Sequence, residues 1–193
     1  MRIGRVGAVS LLVALLGCLV LPGVGAAQPE RSSPLARIEL SDMSPRVVTA
    51  TSGPTVRLSG RVVNVGDRPI SKLGVRLQRD EPLASDYAAL AAVEQAPEAP
   101  HVTRFAQLGD DLGPGQSVAF QLDVPLRGSD LESLQISEPG VYPLLVNLNG
   151  RPDFGGTARL ASVPLLLPVL GIPPASAGVP AGPALPRPAK PIP

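Results

Sequence analysis

The chain has no tryptophan, two tyrosines and three phenylalanines among its 193 residues. Sandwich domains that bind carbohydrate usually stack sugar rings on exposed Trp or Tyr. Phe105 and Phe120 fall at core-facing strand positions and Tyr142 at a structural corner, which leaves only Tyr87 and Phe154 as sugar platforms. Cysteine is equally scarce. Cys18 is the single one, inside an N-terminal apolar run, so a chain that loses this run has no thiol and no internal disulfide. Burial alone must then hold it together. His101 is the single histidine. With no cysteine beyond the N-terminal run it completes no Cys/His zinc site, and carboxylates alone favour harder cations. A loop histidine of this kind reads as a solvated polar residue.

The chain also lacks charge of one sign. If Arg2 and Arg5 leave with a leader, 15 of the 17 basic residues remain against 16 acidic ones. That balance provides no electrostatic footprint for nucleic acid or anionic lipid.

What is present begins with an address. Residues 1–27 carry Arg2 and Arg5, an apolar run over residues 6–20, and small residues at Ala26 and Ala27. This is the pattern of a secretory signal peptide, which places the remaining chain outside the cytoplasm. Cleavage after Ala26 and cleavage after Ala27 both satisfy the small-residue rule. A lipobox reading, Leu15-Leu16-Gly17-Cys18 with a lipidated Cys18, is disfavoured by bulky Leu16 and by the run continuing to Leu21. A retained anchor is a third option, disfavoured because about 20 apolar residues are needed to span a bilayer.

Residues 28–34 read as a disordered leader and residues 35–169 as strands separated by turns. Residues 36–40 alternate and break at residues 42–45, and residues 47–48 resume pairing briefly. Residues 55–65 place Val56, Leu58 and Val62 on one face and Arg57, Ser59 and Arg61 on the other. The Gly66-Asp67-Arg68-Pro69 turn and the alternating residues 72–79 complete what reads as a hairpin. Ser85 or Asp86 caps a short helix over residues 87–93, where Ala and Leu dominate. Strands follow at residues 102–108, 116–124, 141–150 and 157–167. The fold class expected is all-β, an immunoglobulin-like antiparallel β-sandwich with one short helical insertion, preceded by a signal peptide. Residues 170–193 follow as a proline-rich linker or tail, with 8 prolines in the 23 residues from 171 onward.

No catalytic, cofactor-binding or metal-ligating residue is assigned. Gly113-Pro114-Gly115-Gln116-Ser117 does not fit the G-x-S-x-G elbow of a serine nucleophile and reads as a turn that starts a strand. Asp110-Asp111 reads as a polar turn, because a calcium site needs six to eight oxygens and no EF-hand or RTX spacing is present. Asp153-Phe154-Gly155 matches a kinase tripeptide in letters only. Tyr142, just after Gly140 at a strand start, reads as a tyrosine corner whose hydroxyl bonds backbone upstream.

The segments LSGRVVNVGDRPISKLGVRLQR (58–79), LGPGQSVAFQLDVPL (112–126) and EPGVYPLLVNLNG (138–150) carry a resemblance. Taken in order, they resemble the N-terminal region of an uncharacterised family of secreted actinobacterial proteins, known only as a domain of unknown function. Its members are commonly encoded beside a lipid II flippase of peptidoglycan synthesis. The resemblance implies an envelope-associated protein with no assigned activity. The relatives run several times longer and end in a transmembrane helix, so it also implies a shortened product or part of a longer protein.

The function expected is that of a secreted, non-enzymatic Ig-like module. It makes protein contacts in the bacterial cell envelope, near cell-wall assembly, with another envelope protein as partner and no nucleic acid. Membrane attachment requires a lipidated Cys18, a retained signal or a longer form with a C-terminal helix. The alternative is an envelope glycan-binding or adhesive module. A hydrolase ranks third.

Overall fold

A computed structural model describes residues 34–83, 99–175 and 180–186. Eight strands occur among them: β1 (Ala36–Ser44), β2 (Thr55–Asn64), β3 (Ile70–Arg79), β4 (His101–Val102), β5 (Ala106–Leu112), β6 (Ser117–Pro125), β7 (Gly140–Pro152) and β8 (Ala158–Val169). They form a three-stranded sheet ordered β1-β2-β6 and a five-stranded sheet in which β3-β7-β8 is joined along β3 by β4 and β5. Every strand pair is antiparallel. This arrangement is an all-β sandwich with immunoglobulin-like strand order. The helix expected over residues 87–93, the signal peptide of residues 1–27 and nearly all of the leader at residues 28–34 lie outside the described residues.

Period-two alternation sorts side chains between core and solvent, as in any half-buried strand. Val56, Leu58 and Val62 of β2 are fully buried, while Arg57 and Arg61 point out. Leu73, Val75 and Leu77 of β3 meet Phe120, Leu122 and Val124 of β6 in one core cluster, with Leu144, Val146 and Leu148 of β7.

Several expectations need correction. The segment from Thr55 to Arg79 is not a hairpin: β2 and β3 sit in different sheets, and the Gly66–Pro69 turn carries the chain across the sandwich. Turn residues signal a reversal, but only the packing of the two apolar faces decides whether the strands pair or oppose each other. Residues 42–45 do not end the first strand at once, because a bulge between Leu40 and Asp42 lets β1 continue to Ser44. Val48 does resume pairing, but with Val169 of β8, in parallel and across to the other sheet. Asp110 and Asp111 lie within β5 as exposed strand residues, not in a turn.

The tail also differs from a solvated linker at its start. Ile172 is fully buried in the core cluster, so burial runs past the expected boundary at residue 169. Beyond it, Gly182 and Leu185 donate backbone bonds to the carbonyls of Ile172 and Leu170, at 2.9 and 2.8 Å.

Two turns meet at one side chain. Asn64, with no exposure, donates its amide to the carbonyls of Arg68 and Leu112, both at 2.8 Å, and accepts from the Gly66 N–H at 3.0 Å. The backbone N–H of Gly115, which has φ +71°, donates to the Asn64 carbonyl at 3.0 Å. Tyr142 forms the expected corner. Its ring is buried in the core cluster and its hydroxyl donates to the Glu138 carbonyl at 2.9 Å.

Candidate functional site: the outer face of the five-stranded sheet

The outer face of the three-stranded sheet is solvated and internally paired. Arg61 Nε reaches Glu39 at 2.6 Å, Arg57 Nε reaches Asp123 at 2.6 Å, and Arg37 also contacts Glu39 at 2.8 Å. Hydrogen bonds from Arg61 and then Arg37 hold the Glu39 carboxyl below its ordinary pKa, and Gln121 followed by Arg57 does the same for Asp123.

The outer face of the five-stranded sheet is different. Register places Arg76 beside Asn147 and Ser162, Gln78 beside Leu145 and Pro164, and Gly74 beside Asn149. An outward side chain is normally wet, yet Leu145 has no exposure, Asn147 is 1% exposed and Gln78 is 4% exposed. Strand β7 is therefore buried on both faces over this stretch. Toward Gly74 the strip is more open: Asn149, Arg76 and Ser162 are half-buried, and Gln107 and Arg159 are exposed.

Four buried side-chain atoms in the described residues have no hydrogen-bond partner, and all four lie on this strip: Arg76 Nε, Gln78 Oε1, Asn147 Oδ1 and Asn149 Oδ1. The Gln78 amide nitrogen does have a distant partner, the Ala99 carbonyl at 3.5 Å. Burial, followed by the neighbouring positive charge of Arg159, lowers the Arg76 pKa.

Phe105 belongs to this face and not to the core, which corrects the sequence expectation. Its ring packs on Gly74, where a Cβ would come within 3.2 Å of it, and the Arg76 guanidinium lies 4.4 Å from its centroid. The break between β4 and β5 explains the error. A strand assumed continuous over residues 102–108 keeps one parity, whereas the ladder with β3 is interrupted between Val102 and Ala106, where the Arg104 N–H bonds the Leu131 carbonyl instead. Phe120 does reach the core.

The other sequence candidates are dispersed. His101 lies in β4, not in a loop, and its Nε2 is 2.8 Å from Glu81 Oε1, a contact that lowers the Glu81 pKa. Ser117 starts β6 opposite Val63. Phe154 projects from the β7–β8 turn with 60% exposure, and the Arg68 guanidinium is 5.6 Å from its ring centroid. Tyr87 and Cys18 lie outside the described residues. Among the described residues no group of three or more His, Cys, Asp or Glu could hold a metal ion. The strip was missed because alternation marks Asn147 and Asn149 as outward and hence wet; nothing local signals that they are buried.

No protein-family profile matches the chain, and no curated protein is significantly similar to it. Solved structures with similar folds include the C-terminal domain of Wzt, 13% identical, covering 74% of this chain and 79% of that one with a TM-score of 0.42. Another is the CARDB domain of a Pyrococcus furiosus protein in complex with di-metal ions, 12% identical over 69% of this chain and 86% of that one, TM-score 0.40. A β-glucosidase from Listeria innocua is 16% identical over 69% of this chain but only 16% of its own length, TM-score 0.39. None of these scores reaches 0.5, so the three structures say nothing about what this chain does.

Proposed function

We propose that the chain is an exported, non-enzymatic immunoglobulin-like module that makes protein contacts in the bacterial cell envelope. The signal-like residues 1–27, the helix-prone residues 87–93 and the proline-rich residues after Leu185 belong to this reading as an address, an insertion and a linker. The observation that supports the binding role is the open end of the outer strip, where half-buried Arg76 and Asn149 meet exposed Gln107 and Arg159. Unpaired donors and acceptors spread along a face suit recognition of another surface; catalysis needs a nucleophile, base and oxyanion donors converging on one point. Photo-crosslinking in living cells of the native host tests the reading. Adducts of defined mass with another envelope protein support it, and recovery of the monomer alone overturns it.

Phe154 favours a second reading, recognition of envelope glycan, because it offers an exposed ring at a turn. Sedimentation with purified peptidoglycan tests that reading. Protein left entirely in the supernatant removes it.

A further inference from the structure

We propose, resting on the protein-contact reading, that Arg76 and Arg159 at the open end of the outer strip together take one acidic side chain of a protein partner. The site stops short of the covered stretch at Leu145, Asn147 and Gln78. Arg76 Nε is also enclosed, so the terminal guanidinium nitrogens make the contact.

Register aims the two arginines at one place. Arg76 of β3 pairs with Asn147 of β7, and Arg159 of β8 pairs with Asn149, so the arginines flank β7 from opposite sides. Strand spacing sets them roughly 10 Å apart across the sheet and two residues out of step along it. Two long side chains converge from that separation on a single group lying over half-buried Asn149.

Neither arginine has an acid. Among the described residues both stand outside every ion pair. On the outer face of the other sheet, by contrast, Arg37, Arg57 and Arg61 each hold a carboxylate within 2.8 Å. Burial and then the positive charge of Arg159 lower the Arg76 pKa, so the two cations are unneutralised neighbours. A carboxylate between them removes that repulsion and accepts hydrogen bonds from both forks.

Phe105 fixes one side of the site in advance. Its ring lies 4.4 Å from the Arg76 guanidinium and rests on Gly74, where a Cβ would come within 3.2 Å of it. A guanidinium held before binding gives up little side-chain freedom when the partner arrives.

The surroundings select a single carboxylate. Gln107, Asn149 and Ser162 around the arginines are neutral, and toward the end of the sheet Asp111 and Arg151 flank Ser71 and offset each other. Two uncompensated charges suit one acidic side chain beside peptide groups, whereas a polyanion needs a longer basic track. A sugar lacks a platform, because the Arg76 guanidinium already covers the Phe105 ring.

The test follows the 15N-labelled full chain by NMR during titration with acetyl-Gly-Ser-Glu-Ser-Gly-amide at millimolar concentration. The backbone amide signals of Gly74, Gln107, Asn149 and Arg159 are expected to shift, and the same peptide with Gln in place of Glu should leave them still. Arg159→Gln, whose exposed position spares the fold, should weaken the response about fivefold. Arg104→Gln, an exposed arginine already paired with Glu132 at 3.0 Å, should leave it unchanged. Silent amides overturn the proposal, as do an equal response to the Gln peptide, an undiminished response in Arg159→Gln, and a stronger response to inorganic phosphate at equal ionic strength. A response seen only after Asp86, Glu94 and Glu98 are neutralised to their amides also overturns it, since the occupant is then internal. Crosslinks in cells through another face, with these amides silent, sink this site and leave the protein-contact reading standing; monomer alone in cells overturns both.

Discussion

Asn64 donates its side-chain amide to the Leu112 carbonyl at 2.8 Å, which joins the turn after β2 to the turn after β5. Asn64→Ala removes three hydrogen bonds and leaves the buried carbonyl of Leu112 without this donor. A loss of about 2–4 kcal/mol in unfolding free energy is expected from urea titration. Asn64→Asp should be no better, because it keeps the acceptor, loses both donors and buries a charge.

Removing only the Tyr142 hydroxyl, in Tyr142→Phe, should cost about 0.5–1.5 kcal/mol through the lost bond to the Glu138 carbonyl. Tyr142→Ala also empties a buried ring site and should cost about 3–5 kcal/mol. A Tyr142→Phe variant as stable as the parent would deny the hydroxyl any role in the corner, and equal losses in the two variants would deny the ring one.

Leu145 faces outward from its sheet yet has no exposure. Leu145→Ala should therefore cost about 2–4 kcal/mol, as a core position does. Arg57→Ala, on the solvated face of the other sheet, should cost no more than about 1 kcal/mol. Near-equal small effects, read from thermal or urea unfolding, would show that the outer strip is not shielded from water.

Gly60 sits on β2 opposite Leu40 and Phe120, and a Cβ there would lie 3.0 Å from the Phe120 ring and overlap the Glu39 carbonyl. Gly60→Ala should force β1 and β2 apart and destabilise the fold by about 1–3 kcal/mol. Gly53→Ala, with open space around the added carbon, should be near neutral. The pair separates a steric requirement from a general preference for glycine.

Glu39 and Asp123 titrate below their ordinary values in the folded chain. A depressed folded pKa adds stability that is complete above the unfolded carboxylate pKa and is lost as pH falls through the folded value. Stability should be flat above about pH 5 and decline below about pH 4. The decline should shrink in the Glu39→Gln, Asp123→Asn double variant and in high salt. An unchanged acid limb in that variant would assign acid sensitivity to other carboxylates.

The sequence alone determined what local chemistry governs. Alternation in Thr55–Asn64 and Ser117–Pro125 marked the strands and their inward faces. Gly113 to Gln116 marked a turn, and the position of Tyr142 after Gly140 marked the corner, because each depends on neighbours within a few residues. Tertiary structure decided what depends on distant surfaces. Whether β2 and β3 pair or oppose, whether Val48 crosses to β8, and whether Asn147 and Gln78 are wet all turn on what packs above them. Period-two patterning separates the two faces of a strand, but it cannot say that both are covered. The strip of unpaired amides is consequently a property of the folded molecule, made by strands that only the sheet brings side by side.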